Sequence, residues 1–195
     1  MTDIKISDSD YIISDVKVKT LTPNFYTESL TGKGNAKSRG LHSLEFSFKI
    51  TLINDRDVKR FNALMLKLKG RLNPFKLSLL DKTDGANHFN PLFSNSRIRL
   101  TSLANVGDTH IQIASVGFVE AGTMFQLPND SKVYTILDDV TSGGSVEIFP
   151  AIRVTHEVNT NLITSVEPKL RLTSDFYENT YDKVSEITLS AKEVL

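Results

Sequence analysis

The chain has 195 residues, 39% of them hydrophobic and 24% charged, with 23 basic against 23 acidic side chains and no cysteine. That length supports one large or two small domains, and the composition is that of a folded chain. A net charge of zero gives no support for a dedicated nucleic-acid binder, and the missing cysteines exclude disulfides and thiolate metal sites.

The N-terminus, MTDIKISDSDYIISD, lacks the basic-then-apolar layout of a signal peptide. No apolar run approaches the roughly 20 residues that span a bilayer as a helix, so no membrane role is expected. The stretch YIISDVKVKTL, residues 11–21, predicts a strand in which Val16 and Val18 alternate with lysines. Residues 27–40, TESLTGKGNAKSRG, are polar and glycine-rich, without periodicity, and read as a long loop. In the next stretch Leu44, Phe46, Phe48, Ile50 and Leu52 alternate with Glu45, Ser47, Lys49 and Thr51. This is the clearest strand in the sequence, with one face buried and one wet.

One helix is expected, over about 54–69. Asn54 can cap it, and Asp57 places a carboxylate in the first turn. Val58, Phe61, Leu64, Met65 and Leu68 recur at helical spacing, and Gly70 is a natural stop. FKLSLL, residues 75–80, predicts another strand. Residues 81–96 are polar, with Asn90-Pro91 as a turn. From residue 97 the texture changes to short strands divided by glycine turns: RIRLT, HIQIAS, TMFQL, KVYTI and SVEIF. After Glu167-Pro168 come KLRLT and VSEITLSAKEVL, the latter fitting a strand that returns to the first sheet, with Val184, Ile187 and Leu189 as its apolar positions.

The expected organisation is therefore an outer domain, residues 1–95 plus 168–195, and a compact β insert at 96–167. Charge divides the same way. The insert holds four basic and eight acidic residues, the remainder 19 basic and 15 acidic. Such asymmetry can orient a molecule among partners.

A search for chemistry returns little. His42, His88, His110 and His156 form no metal-ligand spacing. Asp138 and Asp139 are adjacent on a strand end, so their side chains point to opposite faces rather than forming a catalytic pair. Neither a G-x-S-x-G nucleophile turn nor a phosphate-binding glycine motif is present. No enzyme, cofactor or metal is expected. Arg56, Lys59, Arg60, Lys67, Lys69, Arg71 and Lys76 make a basic run over the helix and its exit, read as a solvated face rather than an acidic-partner site. In loop 27–40, Lys33, Lys37 and Arg39 outweigh Glu28 and make the candidate interaction residues, suited to an acidic neighbour surface.

The order of elements, together with NPFKLSLLD, AGTMFQLPNDSKVYTI, VEIFPAI and the terminal ITLSAKEVL, resembles the distal tail proteins of siphophages, most closely the tequintavirus-like members. The resemblance spans roughly residues 44–195 and is weaker before them. It implies a mainly β fold with one α-helix: a β-sandwich-like ring-forming domain carrying an inserted small OB-like β-barrel. It also implies a structural virion component, assembled in the host cytoplasm, that forms a hexameric ring joining the tail tube to the tail-tip hub. Its partners would be copies of itself, the tube protein and the hub proteins. The genome would pass through the ring lumen without sequence-specific recognition. No catalytic residue is implied. The alternatives are another tail tube or collar protein, or an oligosaccharide-binding OB-type module whose Phe118, Phe125, Tyr134 or Phe149 would have to be exposed for stacking.

Overall fold

The structure is a computed structural model and describes residues 4–79, 98–178 and 184–194. The expected loop 81–96 lies outside the described residues. Among those described, strands and one helix follow in the order β1 (Lys5–Ser7), β2 (Ile12–Leu21), β3 (Asn24–Glu28), β4 (Gly34–Ser38), β5 (Ser43–Leu52), α1 (Asp55–Leu68), β6 (Phe75–Ser78), β7 (Ile98–Leu100), β8 (His110–Ser115), β9 (Met124–Phe125), β10 (Tyr134–Ile136), β11 (Gly143–Phe149), β12 (Lys169–Leu172) and β13 (Ser185–Glu193). The fold is mainly β with a single helix, and its sheets curl. No helix among the described residues is long and apolar enough to cross a membrane.

Six strands form the larger sheet, in the order β1-β6-β12-β13-β5-β2. The alternation read from the sequence sets the face of β5: Leu44, Phe46, Phe48, Ile50 and Leu52 are all buried. Against them pack Phe61, Met65 and Leu68 of α1, with Leu64 partly buried at the margin. The helix starts as its sequence predicts. The Asn54 side chain accepts the Asp57 amide at 2.9 Å and its own amide group donates to Asp57 Oδ2 at 2.8 Å, satisfying an N-terminal donor that the helix leaves free. It ends where Lys69 turns left-handed at φ 52. Gly70 follows at φ 62, and a Cβ there would come within 2.8 Å of the Asp175 backbone, so the glycine is required both by conformation and by space.

β13 returns to this sheet and pairs along β5 from Ser185↔Leu52 to Lys192↔Glu45. Its buried face begins at Ser185 and runs through Ile187, Leu189 and Ala191 to Glu193, while Val184 is exposed; the expected apolar set is out of phase by one residue at its start. β2 also departs from simple alternation. A bulge between Ser14 and Lys17, with Asp15 at φ 51, shifts its register on β5. Val16 then packs on the core and Val18 is left exposed.

The second sheet has the order β7-β8-β11-β10-β9, all antiparallel, and encloses a separate core that includes Ile113, Phe125, Tyr134, Val146 and Ile148. Its two edges meet one common segment. Leu162 N donates to Ile98 O on the β7 side, while Ile163 and Gln126 exchange two backbone bonds beyond β9. The stretch EAGTMFQLPNDSKVYTI is the β9–β10 hairpin of this unit, with Phe125 stacked on Tyr134 at 5.5 Å.

One expectation is corrected outright. Residues 27–40 are not an unstructured loop: half of them belong to β3 and β4, a hairpin that forms its own two-stranded sheet. It has no buried residue, so it leaves no apolar period in the sequence. Instead the pairing is supported by Tyr26, whose ring lies over Gly34 so closely that a Cβ there would come within 2.8 Å of the phenol oxygen.

Candidate assembly interface

The β3–β4 hairpin leaves the body of the molecule. Every residue from 22 to 41 is exposed, and none belongs to either hydrophobic core. The pairs are Asn24↔Ser38, Phe25↔Lys37, Tyr26↔Ala36, Thr27↔Asn35 and Glu28↔Gly34. Because side chains alternate across a strand and paired residues share a face, one face carries Phe25, Thr27 and Lys37 and the other Tyr26, Glu28 and Ala36. The turn between the strands is tied by Ser29: its amide bonds Lys33 O at 3.1 Å, and its carbonyl receives Gly32 N at 2.9 Å. At that turn Leu30 is wholly in solvent.

The three candidate cations thus have different places. Lys37 stands opposite Phe25, and the Arg39 guanidinium lies 5.2 Å from the centre of the Phe25 ring, a cation–π contact. Lys33 sits apart, at the turn. The structure therefore joins Lys37 and Arg39 around one exposed aromatic, and it adds Phe25 and Tyr26, which the charge pattern does not point to. The sequence holds only half of a hairpin signal for them: Asn24-Phe25-Tyr26-Thr27 is a short β-prone run followed by a glycine turn, but its partner Gly34–Ser38, GNAKS, is not β-prone. A two-stranded hairpin is marginal in water by itself. Cross-strand pairs and an exposed cation–π contact each contribute only about 0.2–1 kcal/mol.

The two sheets are fastened by a buried ionic cluster. Lys132, between β9 and β10, reaches Glu193 Oε2 at 2.5 Å and His42 O at 3.0 Å. Glu193 also accepts Leu44 N and Val133 N, both at 3.1 Å. Both charged side chains are almost completely buried. Burial pulls Lys132 below its ordinary pKa, against the opposing pull of Glu193. The His42 ring meets Phe149 of β11 edge-on at 5.0 Å; burial, and then the nearby Lys132 charge, holds its pKa below the usual value, and its Nδ1 has no partner. Val133 and Val166 join the core of the larger sheet at the same junction.

Other sequence candidates resolve into structure. Asp139 accepts the Ala121 amide at 2.8 Å, so it closes a turn. Arg71 of the basic run is held by Asp175 through two guanidinium contacts, at 2.6 and 3.0 Å. Of the aromatics considered for sugar stacking, Phe125 and Tyr134 are fully buried and Phe149 lies against His42; Phe118 is half exposed. A cleft of about 1060 Å³ runs beside β7, lined by Arg99, Ser115, Val116, Asn161, Ile163 and Thr164 among others; no described aromatic side chain lines it. His42, His110 and His156 lie on separate elements, and His88 falls outside the described residues.

No protein-family model matches this chain, and comparison with curated proteins finds no significant relative.

Proposed function

We propose that the chain is a structural subunit of a phage tail: a distal tail protein that assembles into a homo-oligomeric, hexameric ring between tail tube and tip hub. In this reading the larger sheet with α1 is the sandwich-like ring-forming domain. The β7–β11 unit, whose two edges share the 160–163 segment, is an OB-like barrel carried on it. The observation that carries the reading is the free hairpin. An ordered two-stranded arm, exposed on both faces and tipped with Leu30, gains its missing support when a neighbouring subunit covers it. Phe25, Tyr26, Lys37 and Arg39 combine the aromatic and arginine chemistry enriched at protein interfaces.

The test is the assembly state of the purified chain, by sedimentation and negative-stain electron microscopy. Rings are expected from the parent protein, and monomers or dimers from a variant lacking residues 30–37. A parent that remains monomeric across protein concentration and salt would refute the ring.

A further inference from the structure

The exposed side of α1 is cationic along its length. Arg56, Lys59, Arg60 and Lys67 are all exposed. Their spacing of three, four and seven residues puts them on one face, opposite Val58, Phe61, Met65 and Leu68. The only acids of the helix, Asp55 and Asp57, lie in its first turn, and Asp57 is engaged with Asn54. Several cations outside the helix are neutralised in place: Lys5 meets Glu167, Lys19 meets Glu45, Lys49 meets Asp15 and Glu186, and Lys132 meets Glu193. Among the described residues none of the four helix cations has an ion-pair partner. Arg56 and Arg60 are even a like-charge pair one turn apart, which destabilises a helix. Between the cations the same face exposes Ala63 and Leu66.

The smaller sheet carries the reverse pattern. The Val119↔Val140 bridge and the Ala121-to-Asp139 bond bring Glu120 beside Asp138 and Asp139. Leu137 N donates to Glu147 O, which adds Glu147 to the group. All four carboxylates are exposed, and among the described residues none forms an ion pair. The chain thus carries two uncompensated patches of opposite sign on different units, within a net charge of zero.

We propose that the cationic face of α1 docks on the Glu120–Asp138–Asp139–Glu147 patch of a second copy of this chain. The inference rests on the ring reading and names a contact within it. Two unlike patches that meet between copies make a head-to-tail contact, and such contacts generate a closed ring when the rotation closes. Complementary charge steers that encounter and fixes its register. A protein partner suits this face better than a nucleic acid. Leu66 offers an apolar anchor within the stripe, whereas single-strand binders place aromatics beside their cations, and α1 exposes none.

The experiment uses the full chain and two charge-reversed variants. One carries Arg56→Glu, Arg60→Glu and Lys67→Glu; the other carries Glu120→Lys, Asp138→Lys and Glu147→Lys and keeps Asp139, whose carboxylate closes a turn. Circular dichroism melts verify that each is folded, and an Arg56→Gln, Arg60→Gln, Lys67→Gln variant replaces the first if it is not. Sedimentation should show assembly of the parent weakening as salt rises, and an association constant at least about tenfold lower for each variant alone. Mixed one to one, the two reversed variants should recover the ring, since each helix then faces a patch of opposite sign. A folded helix variant that assembles like the parent overturns the proposal while leaving the ring intact. A mixture that fails to recover also overturns it. A parent that never assembles removes the ring reading and this contact together. Loss of binding to a single-stranded DNA oligonucleotide, with assembly unchanged, would make the helix a nucleic-acid surface instead.

Discussion

β5 and the β3–β4 hairpin lie a few residues apart in the chain and are both regular antiparallel structure, yet they are held by opposite means. β5 has a partner on each side and a buried face from Leu44 to Leu52. The hairpin has one pairing and no buried residue. Backbone hydrogen bonds are similar in both, so they do not account for the difference. Apolar burial does, at about 25 cal/mol per Å² removed from water. The sheet carries its stability within its own core, whereas the hairpin has no buried face to hold it.

The comparison breaks first at Phe48, which is fully buried between sheet and helix. Phe48→Ala should cost about 3–5 kcal/mol in chemical denaturation, the usual range for a buried aromatic. A loss below about 1 kcal/mol would mean that this face is not the core. The buried pair at the junction should respond on a similar scale. Glu193→Ala leaves Lys132 charged and unpaired in the interior, a loss of about 3–5 kcal/mol. The double variant Glu193→Leu, Lys132→Met should recover most of it, because removing both charges also removes their desolvation cost. A double variant as unstable as the single would show that Glu193 acts through Leu44 and Val133 instead.

A smaller effect is expected from pH. His42 has a lowered pKa in the folded protein, so the unfolded chain takes up the proton first. Its contribution is complete above the unfolded value of about 6.5 and is lost as pH falls through the folded value. The melting temperature should therefore decline below about pH 6.5, and His42→Leu should flatten that decline. An unchanged pH profile would separate His42 from the acid response. The smallest stability effect belongs to the hairpin. Deleting residues 30–37 should move the unfolding free energy by less than about 0.5 kcal/mol, the scale of surface changes, while the proposed ring assembly is lost. A large drop in melting temperature would show that the hairpin supports the body after all.

Part of this architecture is legible in the amino-acid sequence. β5 and α1 each bury one continuous face, and a buried face writes its period into the sequence: two for the strand, near 3.6 for the helix. Asn54 and Gly70 mark the helix ends because capping is chemistry of single residues. The five short strands of the smaller sheet are legible from their glycine turns. The hairpin is not, since a segment without a buried face has no apolar period to show. Nor is β1, three residues paired in parallel with β6 from far along the chain. Lys33, Lys37 and Arg39 can be chosen for charge, but only strand pairing shows Lys37 and Arg39 gathered at Phe25 while Lys33 stays at the turn.

The sequence by itself determined the mainly β character, the one helix with its limits, and the face of β5, since each follows from spacing within one segment. Tertiary structure alone decided the strand orders, the bulge that exposes Val18, and the hairpin's isolation. It also brought Lys132 to Glu193 across 61 residues of chain. The physical reason is range. Periodicity and capping act within a few residues, whereas pairing order and the burial of a charge depend on segments that meet only when the chain has folded.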